Sequence, residues 1–408
     1  MTDDTMAAAS DALPGPLTGV TVLDLTQIYN GPYATFLMAM AGAKVVKIEP
    51  PGGENLRRRG VVGGAALPFA MLNANKLDAT LNLKTTEGRE LLLEMAQRAD
   101  VLVENFAPGV LDRLGVGWQR LRELNPRLIY ASGSGYGLSG PNRDYPAMDL
   151  TVQAVSGVMS ITGFPDREPV KAGPALADFF GGVHLYGAIA TALYERERTG
   201  RGRLVEVAMQ EAVYASLSSA LGLLYGQGWA PPPRTGNRHS GLAEAPYNVY
   251  PTRDGHLALI CVTDAHWRSL AQAMNREDLR DDARYATLKQ RVARMDELDA
   301  LVSAWTAGQD KQALFDLLMA HHVPCAPVRT LDEVVNDPHM HARGMLQWID
   351  HPELGRIVVQ GSPMRYDGTP PAAHRPSTRL GADNAHVYGQ WLGRSPDTVA
   401  RLAEEGVI

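Results

Sequence analysis

The sequence predicts an α/β fold, with a mostly parallel sheet in the first half of the chain and a smaller α+β region after it. Two observations carry the first prediction. Short β-branched runs alternate with helical stretches, and glycine or proline punctuates the junctions, the pattern of a helix-covered parallel sheet. A third observation carries the second: past residue 226 the alternation gives way to a hairpin signal and a run of helices.

The first strand is expected over Val20–Leu25, followed by Gly31-Pro32 and a helix over Tyr33–Met40 that Gly42 closes. Ala43–Glu49 is the next strand, stopped by Pro50-Pro51. Asp78–Leu83 forms a strand, Thr85–Ala99 an amphipathic helix, and Val101–Asn105 and Leu128–Ser132 further strands. A long helix over Asp178–Glu197 ends at Thr199-Gly-Arg-Gly202 and leads into a strand over Leu204–Met209 and a helix over Ala212–Tyr225. Gly226–Gly241, rich in proline and glycine, reads as a linker or active-site loop. Tyr247–Val262 is a hairpin turning at Arg253-Asp-Gly255, with helices near 264–275, 295–306 and 310–321. Two strands (346–350 and 356–360) and a helix (395–405) follow. The expected organisation is a loose tail (1–16), a large domain (17–190), a linker helix region (191–226), a small domain (227–330), and a return linker with the last part of the large domain (331–408).

Composition narrows the function. Hydrophobic residues make up 45% of the 408, enough for a real core. A net charge of −6 argues against nucleic-acid and anionic-membrane partners. The two cysteines, Cys261 and Cys325, lie far apart and form no metal or redox motif, which points to a reducing cytoplasm. No signal peptide or transmembrane run is expected.

Gly135-Tyr-Gly-Leu-Ser-Gly140 matches the dinucleotide fingerprint in spacing, yet a loop sequence, Pro141–Pro146, follows where a helix is needed. Nicotinamide is therefore not expected. His321-His322, His339 and His341 suggest no three-ligand metal site, and no nucleophile elbow occurs. Asp178, in Pro174-Ala-Leu-Ala-Asp-Phe-Phe-Gly-Gly182, has two readings: a helix N-cap, or a partly desolvated carboxylate nucleophile beside free helix amides. In the second, the two glycines admit a large substrate. The residues alone leave both open.

In many blocks the chain resembles the class III CoA-transferases (the CaiB/BaiF group), which include formyl-CoA, carnitine and dicarboxylate CoA-transferases and α-methylacyl-CoA racemases. The blocks are Leu23–Ala34, Gly42–Glu49, Asn75-Lys76, Asp100–Gly109, Gly135–Gly137, the Asp178 region, Thr199–Met209, Gly236–His239, Pro246–Gly255 and Val323–Val328. The resemblance implies a Rossmann-like large domain, a smaller domain and an interlocked, ring-like homodimer. It implies acyl-CoA and carboxylic acid substrates, with coenzyme A carried and no metal. Asp178 would be the nucleophile, forming an aspartyl anhydride and then an aspartyl-CoA thioester. Ile28, Arg57, Arg58, Lys76, Asn105, Phe106 and Arg113 would bind CoA; Tyr29, Gly135, Tyr136, Gly137, Asn237, Arg238 and His239 would line the substrate pocket. Arg57-Arg-Arg59 is a candidate phosphate or carboxylate clamp, with a solvated loop as the other reading. Pro50 and Ser134 replace an arginine and a lysine of formyl-CoA transferase, so phosphate contacts there differ. Racemases carry a histidine and a glutamate where this chain has Met148 and Asn248, which favours transfer. The cations of the 55–59 segment and of Arg238 and His239 suggest a dicarboxylate, with succinyl-CoA as donor. The small domain lacks the loop of consecutive glycines that the formate- and oxalate-handling members carry there; the nearest flexible segment is Pro231–Gly241.

Overall fold

The computed structural model describes residues 14–58 and 67–408; Arg59 and most of the expected tail lie outside them. The chain divides into two compact units. The first takes residues up to Val152, Pro174–Val213 and Val335–Ile408; the second takes Gln153–Gly173 and Tyr214–Val334. These divisions differ from the expected ones. Residues 153–173 leave the first unit, and the long helix stays within it to its end instead of opening a linker region.

The first unit is built on six parallel strands: β1 (Thr21–Asp24), β2 (Lys44–Glu49), β3 (Leu77–Thr80), β4 (Val101–Glu104), β5 (Ile129–Ser134) and β6 (Leu204–Ala208). Their order is β3-β2-β1-β4-β5-β6, all pairs parallel. This is the doubly wound order, in which a crevice opens at the carboxyl ends of β1 and β4, where the strand order reverses. Four helices matter below: α1 (Asn30–Met40), α2 (Thr86–Arg98), α3 (Trp118–Leu124) and α4 (Leu176–Thr199). Leu91, Leu92, Met95 and Ala96 of α2 and Leu121 of α3 pack with Leu23, Val46 and Leu102 on one face of the sheet. Ala34 and Met38 of α1 and Leu185 and Ile189 of α4 pack with Val22, Val45 and Val103 on the other. Thr85 caps α2 by accepting from Gly88 N at 3.0 Å.

Among the described residues α4 is the one helix long and apolar enough to cross a membrane, and Leu185, Ile189, Ala192 and Leu193 are buried in the unit's core. It begins two residues earlier than expected. Asp178 is its third residue and not its N-cap; Ala175 holds that position and offers no side-chain bond. The expected helix over 212–225 is instead three pieces, Met209–Tyr214, a 3₁₀ turn over Ala215–Leu217, and Ser218–Gly226.

The free edge of β3 is covered by the chain's last segment. Asp78 N donates to Asp383 Oδ2 at 2.8 Å, Thr80 N to Asn384 Oδ1 at 2.9 Å, and Asn82 N to the Val407 carbonyl at 2.8 Å. The strands β10 (Leu346–His351) and β11 (Gly355–Gln360) pair antiparallel within the same unit.

The second unit holds an antiparallel sheet of β7 (Tyr247–Thr252), β8 (Gly255–Ile260) and β9 (Cys325–Pro327), with β8 central. Helices Asp264–Ala273, Met295–Thr306 and Lys311–Ala320 pack on it through Trp267, Leu270, Leu298, Val302, Leu314 and Leu318. The hairpin turns at Arg253-Asp254, as expected.

One buried ion pair joins three parts of the first unit. Asp24, fully buried at the end of β1, accepts from Lys76 Nζ at 2.9 Å, Thr35 Oγ1 at 2.7 Å and Thr26 N at 2.9 Å. Lys76 was expected at the CoA. Its ammonium is instead in the interior, also donating to Asn73 Oδ1 at 2.8 Å and the Pro32 carbonyl at 3.1 Å. Burial pulls Lys76 down to about 8 against the attraction of Asp24. Removing one partner leaves the other charge uncompensated in the core. Lys76→Met is therefore expected to cost about 3–5 kcal/mol of stability in urea unfolding, and the double variant Asp24→Asn/Lys76→Met to recover much of it.

Candidate active site

A cavity of about 380 Å³ opens in the first unit at the strands' carboxyl ends. It is lined by Gln27, Ile28 and Asn30 after β1, Asn105–Pro108 after β4, Ser134 and Gly135 after β5, Met209 after β6, the segment Arg143–Met148, and Asp178. Four strand ends thus converge on one acidic residue, which is only 8% exposed.

The loop after β1 is held in an unusual conformation. Ile28 has φ of 68°, a left-handed conformation that a β-branched side chain rarely adopts. Such strain persists where surrounding contacts impose it, and it clusters at functional sites. Two contacts impose it here. Ile28 N donates to Glu54 Oε2 at 3.4 Å, and the Asn105 amide brackets Gln27, accepting from its N at 2.8 Å and donating to its carbonyl at 2.8 Å. Asn105 therefore ties the β1 and β4 loops together across the switch point while lining the cavity. Phe106 N donates to Glu104 Oε2 at 2.8 Å, fixing the same turn.

Phe106 also borders a second, largely apolar cavity of about 210 Å³, shared with Leu25, Ile48, Pro50, Leu83 and Val110. Pro50, expected only as a departure from an arginine, forms part of that wall. Arg113 is exposed at the end of the turn Val110–Arg113; its Nη1 lies 3.2 Å from where a Gly109 Cβ would sit, and Arg143 Nη2 lies 3.9 Å from the same point. Two guanidinium groups thus stand close to the loop after β4.

The start of α4 differs from the expectation of free helix amides. Asp149 Oδ1 accepts from Ala177 N at 2.8 Å, a cap supplied from 28 residues away, and Leu176 N donates to the Pro174 carbonyl at 2.9 Å. The glycines after Asp178 do not open a path for substrate. A Cβ on Gly181 would lie 2.1 Å from Asn30 Nδ2, and one on Gly182 2.6 Å from the Asn30 carbonyl oxygen. They let α1 and α4 pack at close range.

The remaining expected residues fall variously. Gly135 lines the cavity, but its missing side chain makes room for Ala147, whose Cβ would be 2.0 Å away. Tyr136 packs edge-on against Tyr145 at 6.0 Å, and Gly137 turns the chain with its N–H on Ser134 Oγ; neither is among the cavity-lining residues. Tyr29 stacks on Phe179 at 5.9 Å, in a cluster with Tyr33, Leu56 and Phe69. Arg57, expected as a clamp, is engaged internally: it bonds Glu49 at 2.7 Å, Asp78 at 3.0 Å and the Thr378 carbonyl at 3.1 Å, and lies over the Phe69 ring. Arg58 is exposed and donates to Asn55, itself a cavity residue.

Asn237, Arg238 and His239 belong to the second unit. Arg238 pairs with Asp299 and Asp296, and Asp299 also accepts from Asn248 and Tyr250, so this cation is already neutralised. Asn237 borders a separate cavity of that unit beside Tyr247 and Cys325, and His239 meets Tyr247 edge-on at 5.5 Å. Burial pushes the Cys261 thiol up to about 12 and the Cys325 thiol to about 11, which keeps both protonated and unsuited to nucleophilic attack. Among the described residues no group of three His, Cys, Asp or Glu is placed to hold a metal ion.

Sequence reasoning missed Gln27, Asn30, Arg143 and Met209. Gln27 and Asn30 lay in variable positions of the first block, and Arg143 in a loop recognised only as a strand end. Nothing in composition marks them.

A doubly wound sheet with a buried acidic residue beside its switch-point crevice places a candidate site where ligands bind in sheets of this kind. The chain belongs to CoA-transferase family III, whose profile matches residues 17–384. It is 38% identical to the formyl-CoA:oxalate CoA-transferase of Streptomyces avermitilis over 408 aligned residues, covering 96% of this chain and 99% of that protein. It is also 38% identical to the succinyl-CoA:mesaconate CoA-transferase of Haloarcula marismortui, with 88% and 92% covered. The crystal structure of a CAIB/BAIF family protein from Brucella suis superposes with a TM-score of 0.81 at 33% identity, covering 93% of this chain and all of that one.

Glu104 supplies a pH test of the site's burial. Desolvation pushes its carboxyl up to about 7. The folded state then holds this proton more tightly than the unfolded chain. The group's contribution is complete below its ordinary pKa and is lost as pH rises through about 7. On the order of 3 kcal/mol of stability is expected to disappear between pH 4.5 and 7.5 from this group. Glu104→Gln keeps an acceptor for Phe106 N, and denaturant unfolding across that range should show the corresponding slope removed.

Proposed function

We propose that this CoA-transferase moves CoA from a dicarboxylyl-CoA, such as succinyl-CoA, to a second carboxylic acid, with Asp178 as the covalent carrier. The observation that carries the reading is the buried Asp178 carboxylate lining a cavity where four strand ends meet. A carboxylate there attacks the donor thioester carbon, and the C–S bond breaks with its electron pair leaving on the CoA thiolate. The product is a mixed anhydride between Asp178 and the donor acid. The thiolate then attacks the Asp178 carbonyl and expels the donor carboxylate, leaving an aspartyl-CoA thioester. The acceptor carboxylate reverses both steps. Each intermediate is an activated acyl group, so no ATP is consumed provided water stays out.

The surroundings suit CoA. Arg113 and Arg143, both beside Gly109, are the cations we assign to its phosphates. The apolar cavity beside Phe106 offers a wall for adenine, and Gln27 and Phe106 border both cavities. The dicarboxylate preference rests on the relatives, whose named substrates include oxalate and mesaconate, and no longer on Arg57 and Arg238, which are engaged elsewhere. The reading includes a homodimer in the cytoplasm. Racemisation is disfavoured because Met148, with a thioether that moves no proton, lines the cavity, and Asn248 has no titratable group.

Four measurements test this. A matrix of formyl-, acetyl-, succinyl- and mesaconyl-CoA against oxalate, succinate, mesaconate and citramalate should give its highest rate with succinyl-CoA. Formyl-CoA with oxalate winning would replace the donor and leave the chemistry standing. Asp178→Ala should lose about 10³-fold or more in kcat. Borohydride or hydroxylamine treatment of wild type with donor should shift the mass of the Asp178 peptide. Incubating 2-methylacyl-CoA in D₂O should give no deuterium at the α-carbon.

A further inference from the structure

Asn30 is the first residue of α1, 4% exposed, and borders the cavity that Asp178 lines. Its Nδ2 donates to the main-chain carbonyl of Asp178 at 3.4 Å, while its Oδ1 is buried without a hydrogen-bond partner. A buried acceptor left unpaired costs stability, so its retention calls for a reason.

The surroundings are shaped around this one side chain. A Cβ on Gly133, at the end of β5, would lie 2.4 Å from Asn30 Oδ1. A Cβ on Gly181, in α4, would lie 2.1 Å from Nδ2. Two elements thus omit a side chain where the two ends of the amide lie. The amide is wedged between the end of β5 and the first turns of α4, gripping Asp178 by its own carbonyl.

We propose that Asn30 is a positioning residue for acyl transfer. Its amide fixes the main chain of Asp178 against β5 and so sets the direction in which the carboxylate enters the cavity. The inference rests on the reading of Asp178 as nucleophile. That chemistry makes a double demand on one carboxyl group. Its oxygen must meet the thioester carbon, and its own carbon must then be met by the departing thiolate before the thiolate diffuses away. With the main chain clamped at Asp178, its two side-chain torsions set where the carboxylate lies. Both attacks then occur within a narrow range of geometries.

The test uses the donor–acid pair of highest wild-type rate in the matrix above. Asn30→Ala should lower kcat about 10²-fold, the scale of a misplaced reacting group, and leave KM for the acyl-CoA within about twofold. Trapping of the acylated Asp178 peptide should slow in parallel. Gly181→Ala, whose Cβ drives the amide from its slot, should reproduce the loss. Because removing the Asn30 side chain clears that clash, the double variant should be no slower than Asn30→Ala alone. A wild-type kcat in Asn30→Ala, or a loss confined to KM, overturns the proposal; so do fully additive losses in the double variant. Should Asn30→Ala fail to fold, a wild-type kcat in Gly181→Ala overturns it instead. Asp178→Ala assayed alongside separates the two ideas. If that variant is inactive while Asn30→Ala is normal, only the positioning role falls; if it stays active, the nucleophile reading itself falls.

Discussion

The site depends on a charge that water never reaches. Asp24 ends β1, and with no solvent to stabilise it, it draws Lys76, Thr35 and Thr26 onto its two oxygens. Thr35 sits in α1 and Lys76 just before β3, so one carboxylate fixes where the first strand stops, how the first helix leaves, and how the third strand begins. Between strand end and helix start lie only Leu25–Tyr29, and from this short bridge Gln27 and Ile28 face the cavity. Lys47, also buried, donates to the Thr26 carbonyl and holds the same bridge from β2. A pair that gains little net stability can still earn its place by allowing a single geometry, and the left-handed Ile28 shows how closely that geometry is held.

From this bridge the constraints spread outward by main-chain recognition. Asn105 reads the backbone of Gln27, Asn30 that of Asp178, and Asp149 that of Ala177. Each uses a polar side chain to hold another segment's main chain. The cavity is thus assembled from strand ends that are distant in sequence, with side chains doing the work that ladder bonds do inside the sheet. The proposed carboxylate chemistry suits such a frame, since the groups that hold the Asp178 segment are neutral amides or are already committed to a partner.

Most of the fold was legible in the sequence because its signals are local. β-branched runs and glycine stops each act within a few residues, and the strands and the hairpin fall where these place them. Asp178 was legible as a candidate, but N-cap and nucleophile share the same local letters, and only the fold removes the first reading by placing Ala175 at the cap. Long-range pairing was not legible. Lys76 and Arg57 look like ligand-binding cations in sequence, and only the fold shows that Asp24, Glu49 and Asp78 take them first. Arg238 is hidden in the same way by Asp296 and Asp299. The glycines at 181 and 182 invite a guess about substrate, whereas their neighbours come from α1, about 150 residues away.

The cover on β3 bears on how the chain is made. β3 is an outer strand of the main sheet, and what pairs its outward amides comes from Asp383, Asn384 and Val407. Until those residues emerge from the ribosome, some three hundred residues after the strand itself, a half-finished sheet presents bare N–H and C=O groups beside a hydrophobic face. Such an edge is a template for any other extended chain nearby. During each round of synthesis the nascent protein therefore passes through a long interval in which this edge lacks its native partners. High expression would crowd those intermediates together, and inclusion bodies or chaperone dependence would then follow from the order of the segments more than from any weakness in the finished core.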